Sequence, residues 1–380
     1  MMKWVQRFFV FLYVRTYFRH VTLINRTQEN VGNLLILSHR NGAIDGFVYH
    51  SVFPNTRFLL AKQLQKNAFL RFLFPGIAVF REKDRQDSKM QNSDAVRSCI
   101  RVLKMSDMSL GVFPEGSSAL GIKHLPFQKG FSKIVALALA QGTPVTVTPC
   151  SVFYDDPTHL GGHVYLVQGK NVCFSEKTPA EQIYKEVTAS LETILMTYSD
   201  EETQKKIHQG AIIVGMTQKI LYSDALRLLQ EKSFLLDKIE KWHQAEKGVL
   251  YKDTRVYPTT VGLSLWTFLI TLPIVFPTLL INVLPLFVGW CGGRFGSDDT
   301  NTISLWRFLT GYPTAILFYL IFICCSPLWG IVSLVLSMWG FHLYGAFKKH
   351  TCCLVNLLFN PKGLKEYRKL QNEIMSELVE

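Results

Sequence analysis

The sequence predicts an α/β domain on a central, mostly parallel sheet, followed by a helical linker and C-terminal transmembrane helices. Three observations carry this prediction. Between Gly32 and about Gly169, short apolar runs alternate with helical patterns. Segment 178–250 is rich in Lys, Glu and Leu, with apolar residues at helical spacing. Beyond it, Val261–Trp290 and Thr310–Phe347 contain no Asp, Glu, Lys or Arg. Each of these two runs exceeds the ~20 apolar residues that cross a bilayer as a helix.

The first thirty residues mix Phe8, Phe11, Leu12, Tyr13, Tyr17 and Phe18 with Lys3, Arg7, Arg15 and Arg19. Aromatic and basic side chains together suit the headgroup layer, so 1–30 reads as an interfacial N-terminal helix. Its alternative is a core helix of the domain behind it. No small-residue cleavage site marks a signal peptide.

Strands are expected at 32–38, 57–61, 77–80, 109–113, 144–154 and 163–168. Helices are expected at 44–53, 63–73, 91–105 and 128–141. Fully apolar strands alternating with helices indicate a sheet covered on both faces. The α/β domain then spans 31–200, and an amphipathic helical linker spans 201–258. The membrane region is 259–347, kinked or broken at Pro273, Pro277, Pro285, Pro313 and Pro327. Residues 348–380 form a basic tail.

Charge places the ends. Lys247, Lys252 and Arg255 precede the apolar region, and Lys348, Lys349, Lys362, Lys365, Arg368 and Lys369 follow it. The intervening loop carries only Arg294 and Arg307 against Asp298 and Asp299. The positive-inside rule puts both ends in the cytoplasm, with an even number of crossings. An integral membrane protein is expected, its α/β domain facing the cytoplasm: endoplasmic reticulum in a eukaryote, inner membrane in a bacterium. The formal net charge is +12. With no nucleic-acid motif present, the excess points to a phospholipid membrane or a phosphorylated substrate rather than nucleic acid. The eight cysteines form no CxxC pair and no zinc spacing, so no metal is expected.

Four short motifs lie at the ends of predicted strands. Ser38-His39-Arg40-Asn41-Gly42-Ala43-Ile44-Asp45 follows the first strand, at the carboxyl mouth where open α/β sheets hold ligands. A carboxylate beside an imidazole fixes its tautomer and raises its basicity. No nucleophile-elbow serine accompanies them, so a substrate hydroxyl is the economical nucleophile. Gly76–Arg81 ends a strand with Arg81, whose guanidinium matches a phosphate through paired hydrogen bonds. In Phe113-Pro114-Glu115-Gly116-Ser117-Ser118, Gly116 lets backbone approach a ligand, and Glu115 can meet acceptor hydroxyls or hold Arg81. Lys123, His124 and Lys129 add positive potential downstream. Pro149, in Val147-Thr148-Pro149, lies inside an apolar strand and implies an edge or a bulge.

In this order and spacing, SHRNGAID, GIAVFR, FPEGSS and VTP resemble motifs I to IV of the glycerolipid acyltransferase family, over about residues 30–170. The resemblance implies a glycerolipid acyltransferase-like α/β domain and transfer of an acyl group to a glycerol-phosphate hydroxyl in phospholipid synthesis. It implies a catalytic dyad of His39 and Asp45, phosphate binding by Arg81, and acceptor binding by Glu115, Gly116 and Ser117. Pro149 matches the motif linked to the acyl side. Acyl-CoA or acyl carrier protein is the implied co-substrate, glycerol-3-phosphate or 1-acylglycerol-3-phosphate the acceptor, and no cofactor is needed. Another lysophospholipid as acceptor, a lipid hydrolase, and a non-catalytic lipid-binding or lipid-moving membrane protein are the alternatives. One departure bears on the dyad. Five residues separate His39 from Asp45 where the family has four, and one residue turns a helical position by about 100°. A similar longer spacing occurs in a branch resembling glycerol-3-phosphate/dihydroxyacetone-phosphate acyltransferases, which also carry C-terminal membrane segments.

Overall fold

The computed structural model describes residues 2–25, 29–62, 71–72, 75–79, 92–215, 220–246 and 260–379. The chain forms two compact units, one of residues 1–157 and 163–197, the other of 158–162 and 198–380.

The first unit is an α/β fold on an eight-stranded sheet, most of it parallel. Its strands are β1 (Phe18–Asn25), β2 (Leu34–Leu37), β3 (Thr56–Ala61), β4 (Gly76–Val79), β5 (Ser109–Val112), β6 (Thr146–Tyr154), β7 (Gly162–Gln168) and β8 (Val172–Cys173). Their order is β1-β7-β6-β2-β5-β3-β4, with β8 also on β6. From β6 to β4 every pairing is parallel, while β7 and β8 run antiparallel to β6. All four residues of β2 are buried, as a strand covered on both faces requires. Leu34 and Ile36 join a core with Cys99, Ile100 and Leu103 of α3 (Ser93–Leu103), Ile134 and Val135 of α4 (Gly130–Leu139), and Ile183 and Val187 of α5 (Ala180–Glu192). The alternate residues Leu35 and Leu37 point to the other side and are equally buried.

The N-terminal segment departs from the sequence expectation. Helix α1 spans Met2–Tyr17, but Phe18–Asn25 is strand β1 rather than a continuation of the helix. Val10, Tyr13, Val14 and Tyr17 are buried, and the Tyr13 ring meets Phe47 of α2 (Ile44–Val52) at 5.6 Å. Phe8 and Phe11 on the other face are exposed. The helix therefore buries one stripe in its own unit and turns the second outward.

Pro149 is neither at an edge nor in a bulge. Strand β6 is flanked on both sides, and Pro149 stands opposite Ile36 of β2. The Cys150 carbonyl accepts from Ser38 N on the β2 side, so Pro149 presents its backbone to the other side, where its carbonyl accepts from Gly169 N at 2.9 Å. That side is where the neighbour changes from β8, paired to Thr146 and Val147, to β7, paired from Cys150 onward. The missing N–H of proline falls in this gap in the ladder, which is why an interior strand accepts it. The helix expected over 63–73 lies almost wholly outside the described residues.

The second unit begins with α6 (Glu201–Gly215), α7 (Tyr222–Glu231) and α8 (Leu236–Glu246). The apolar region forms α9 (Val261–Ile281), α10 (Val283–Phe295), α11 (Ile303–Cys325) and α12 (Pro327–Phe359), and α13 (Pro361–Val379) closes the chain. Three helices among the described residues are long and apolar enough to cross a membrane: Val261–Ile281, Thr300–Cys325 and Pro327–Phe359. Helix α10, at ~1.5 Å per residue, is about 20 Å long, short of the ~30 Å hydrocarbon core. Of the prolines expected to disrupt these helices, Pro273, Pro277 and Pro313 lie inside them, and Pro327 opens α12.

Helices α9 and α12 run antiparallel, with Ser264 meeting His350 near one end and Asn282 meeting Ser337 near the other. Asn282, at the α9–α10 junction, donates to Ser337 Oγ at 2.7 Å and accepts from the Tyr319 hydroxyl at 3.0 Å. Among apolar helices, which gain nothing from hydrophobic contact inside lipid, such bonds and close backbone approaches supply the association. Gly289 and Gly311 provide one such approach: a Cβ at Gly289 would lie 3.3 Å from Gly311 Cα.

Candidate active site

The carboxyl ends of β2, β5 and β6 meet at one rim of the first unit. Residues Ser38 and His39 follow β2 directly, and β5 leads into Phe113-Pro114-Glu115. Strand β6 runs further than β2, since Leu37 is paired with Cys150 and β6 continues to Tyr154. Helix α2 starts just after the His39 loop and carries Asp45 in its first turn.

His39 and Asp45 are joined. The imidazole Nδ1 lies 2.9 Å from Asp45 Oδ2. The same oxygen accepts from Arg40 N at 2.6 Å and Asn41 N at 2.8 Å. An ionised carboxylate only accepts, so Nδ1 carries the proton and Nε2 presents its lone pair. The longer connection is absorbed in the turn at Asn41–Ala43, where Gly42 takes φ 54° and its carbonyl accepts from Asp45 N at 3.3 Å. Only a residue without Cβ adopts that φ freely. Asp45 is fully buried, while the His39 side chain keeps 17% exposure, which leaves the ring open on one side. The ring of Phe113 stacks on His39 at 4.4 Å between centroids and restricts its tilt.

Tyr154, which lies in none of the sequence motifs, closes the other side of Asp45. Its hydroxyl donates to Asp45 Oδ1 at 2.5 Å. Burial first, and then the charge and hydrogen bond of Asp45, push the phenol pKa well above its usual value. It therefore stays protonated and remains a donor.

Glu115 corrects the expected acceptor contact. Its carboxylate is buried and turned inward: Oε1 accepts from His39 N at 2.8 Å, and Oε2 accepts from Leu125 N at 3.2 Å. His124 Nδ1 lies 3.4 Å from Oε1, so a residue expected only to add positive potential is the carboxylate's neighbour. With both oxygens engaged by its own chain, Glu115 fixes the backbone of His39. Gly116 makes this turn possible, with φ 67° and its N–H on the Phe113 carbonyl at 3.1 Å. Ser117 follows at the rim and is partly buried. The Ala119 amide then donates to the His39 carbonyl at 3.2 Å, so the loop after β5 folds against the loop after β2.

Pro149 is not brought to this group. It is buried in the sheet, its ring so close to Gly169 that a Cβ there would lie 2.9 Å from Pro149 Cγ. It supports the β6 ladder break and presents no surface to a ligand at the rim. Arg81, the expected phosphate ligand, lies outside the described residues.

An imidazole oriented by a carboxylate and open on one side has the geometry to accept a proton from a hydroxyl. Residues 19–153 match the Acyltransferase family, which spans the sheet from β1 to β6 and contains the dyad. Over these residues the chain is thus similar to the acyltransferases. No curated protein matches it. Among solved structures it is similar to the 1-acyl-sn-glycerophosphate acyltransferase PlsC of Thermotoga maritima, at 19% identity, covering 50% of this chain and 77% of that one, with a TM-score of 0.37.

Proposed function

We propose that this protein is a membrane-bound O-acyltransferase that moves a fatty acyl group from an acyl thioester to the hydroxyl of glycerol-3-phosphate or 1-acylglycerol-3-phosphate. The observation that carries this reading is the His39–Asp45 pair at 2.9 Å, open to solvent only on the imidazole side. His39 Nε2 takes the proton of the acceptor hydroxyl as its oxygen attacks the thioester carbonyl. The carbon–sulfur bond then breaks, and the imidazolium returns its proton to the leaving thiolate. Asp45 stabilises the transient imidazolium. Backbone N–H groups of the rim loops are the candidate donors to the oxyanion. The motif resemblance assigns the acceptor phosphate to Arg81, and acceptor binding to Gly116 and Ser117. Neither a covalent acyl-enzyme nor a metal is required by this sequence of steps. The exposed Phe8 and Phe11 of α1, with Arg15 exposed beside them, suit contact with the headgroup layer.

The acceptor is decided by measuring transfer from a radiolabelled acyl-CoA, and separately from acyl carrier protein. The panel is glycerol-3-phosphate, lysophosphatidate, lysophosphatidylcholine and no acceptor. Acylated phosphorylated acceptor is expected, with free fatty acid a minor product. Label appearing chiefly as free acid would refute the transfer reading. Label on the choline lysolipid alone would refute the glycerol-phosphate assignment.

The two ends of the apolar region also bear on location. Helix α8 precedes α9 and α13 follows α12, yet the two pack together: Lys238 of α8 pairs with the Glu377 carboxylate, and Lys232, just before α8, donates to the Glu377 carbonyl at 2.7 Å. Segments in contact share one side of a bilayer, which supports an even number of crossings, and the basic residues flanking the apolar region favour the cytoplasm for that side. In sealed vesicles, cysteines placed at Lys241 and Lys369 should react with an impermeant maleimide to the same extent. Labelling of one with protection of the other would sink this orientation.

A further inference from the structure

The two oxygens of Asp45 divide their work. Oδ2 serves His39 and the amides of Arg40 and Asn41, whereas Oδ1 receives the Tyr154 hydroxyl. Tyr154 lies outside the four sequence motifs. It reaches Asp45 because β6 overshoots the end of β2, and its ring is held by Phe18 of β1 at 5.6 Å. We propose that Tyr154 is a positioning residue for the dyad, its hydroxyl fixing the plane of the Asp45 carboxylate and sharing its negative charge, so that it sets how strongly His39 holds a proton.

A carboxylate bound through one oxygen can swing about its Cβ–Cγ bond, and its full charge falls on the imidazole. A phenol donor on the second oxygen removes both freedoms, and a hydrogen bond to a charged group in a buried setting is among the stronger ones. Among the described residues, the other titratable or charged groups around the dyad are few. Glu115 accepts from the His39 amide, with His124 behind it. Tyr49 of α2 bonds the carbonyls of Ser38 and Cys150, and Cys150 itself is buried. Arg40 turns its guanidinium to the Gly121 carbonyl. Tyr13 of α1 is buried near Tyr154. Of these, Arg40 meets Asp45 through its backbone N–H, at 2.6 Å on Oδ2, whereas the Tyr154 side chain bonds Oδ1 at 2.5 Å.

The proposal rests on His39 being the base, so the test carries that residue as a separate arm. The full-length protein in detergent is assayed for acyl transfer across pH as wild type, Tyr154→Phe, His39→Ala, and with 3-fluorotyrosine at position 154. Tyr154→Phe should lower kcat by about 10- to 100-fold, the range for losing a hydrogen bond to a charged group, with little change in KM. The acid limb of kcat/KM should move to higher pH, because the carboxylate charge is no longer shared and the imidazolium is favoured. The fluorinated residue, a stronger donor of the same shape, should move that limb the opposite way, and it decides the matter if the phenylalanine variant folds poorly. Wild-type kcat and an unmoved acid limb in both Tyr154 forms, with His39→Ala inactive, would overturn the role of Tyr154 alone. Undiminished turnover of His39→Ala would overturn the base assignment and this proposal with it.

Discussion

Replacing His39 with alanine should reduce acyl transfer by about 10²- to 10⁴-fold, the contribution of a positioned general base, and leave the fold intact. The imidazole is the group at the rim whose Nε2 is free to accept a proton, because Nδ1 is committed to Asp45. Its loss removes one hydrogen bond to Asp45 and the stack on Phe113. The amides of Arg40 and Asn41 and the Tyr154 hydroxyl continue to bind the carboxylate. Circular dichroism and thiol-reactive measurement of unfolding should therefore change little while labelled product disappears. A variant that turns over at more than a tenth of the wild-type rate would assign the proton transfer to another group.

Asp45 should show a split between charge and shape. In Asp45→Asn the amide oxygen is expected to take the Oδ2 position, because two backbone N–H groups point there and would repel an NH2. The NH2 then faces the Tyr154 hydroxyl, which can turn and accept. The fold survives, but no negative charge stabilises the imidazolium, and kcat should fall by about 10²- to 10⁴-fold, the scale seen for orienting carboxylates. Asp45→Ala differs: it removes the acceptor that Arg40 N, Asn41 N and the Tyr154 hydroxyl share in a fully buried site. Each unsatisfied buried group costs about 1–3 kcal/mol, so this variant should lose both activity and several kcal/mol of stability. Thermal unfolding of the two variants side by side checks the distinction. Equal stability of the two variants would show that Asp45 does not hold the loop.

Much of this site was legible because its signals are local. His39 follows an apolar strand, Asp45 sits a turn later, and Gly42 supplies the left-handed turn that accommodates the additional residue. Glu115 was legible as a site residue but not in its direction. A carboxylate after a strand can face substrate or backbone, and that choice depends on where the amides of His39 and Leu125 arrive. Pro149 misled for a similar reason. Its missing donor costs nothing at a gap between two neighbouring strands, and such a gap is a property of pairing rather than of composition.

The sequence by itself determined the α/β class, the apolar helices and the two residues, His39 and Asp45, that meet at the rim, because strand burial, bilayer length and motif spacing are written in consecutive residues. Only the tertiary structure decided what surrounds the dyad: the phenol of Tyr154 on Asp45, the inward turn of Glu115, and β1 at the edge of the sheet. These contacts join residues far apart in the chain. Their physical cause is the packing of a long β6 past a short β2, which no local pattern encodes.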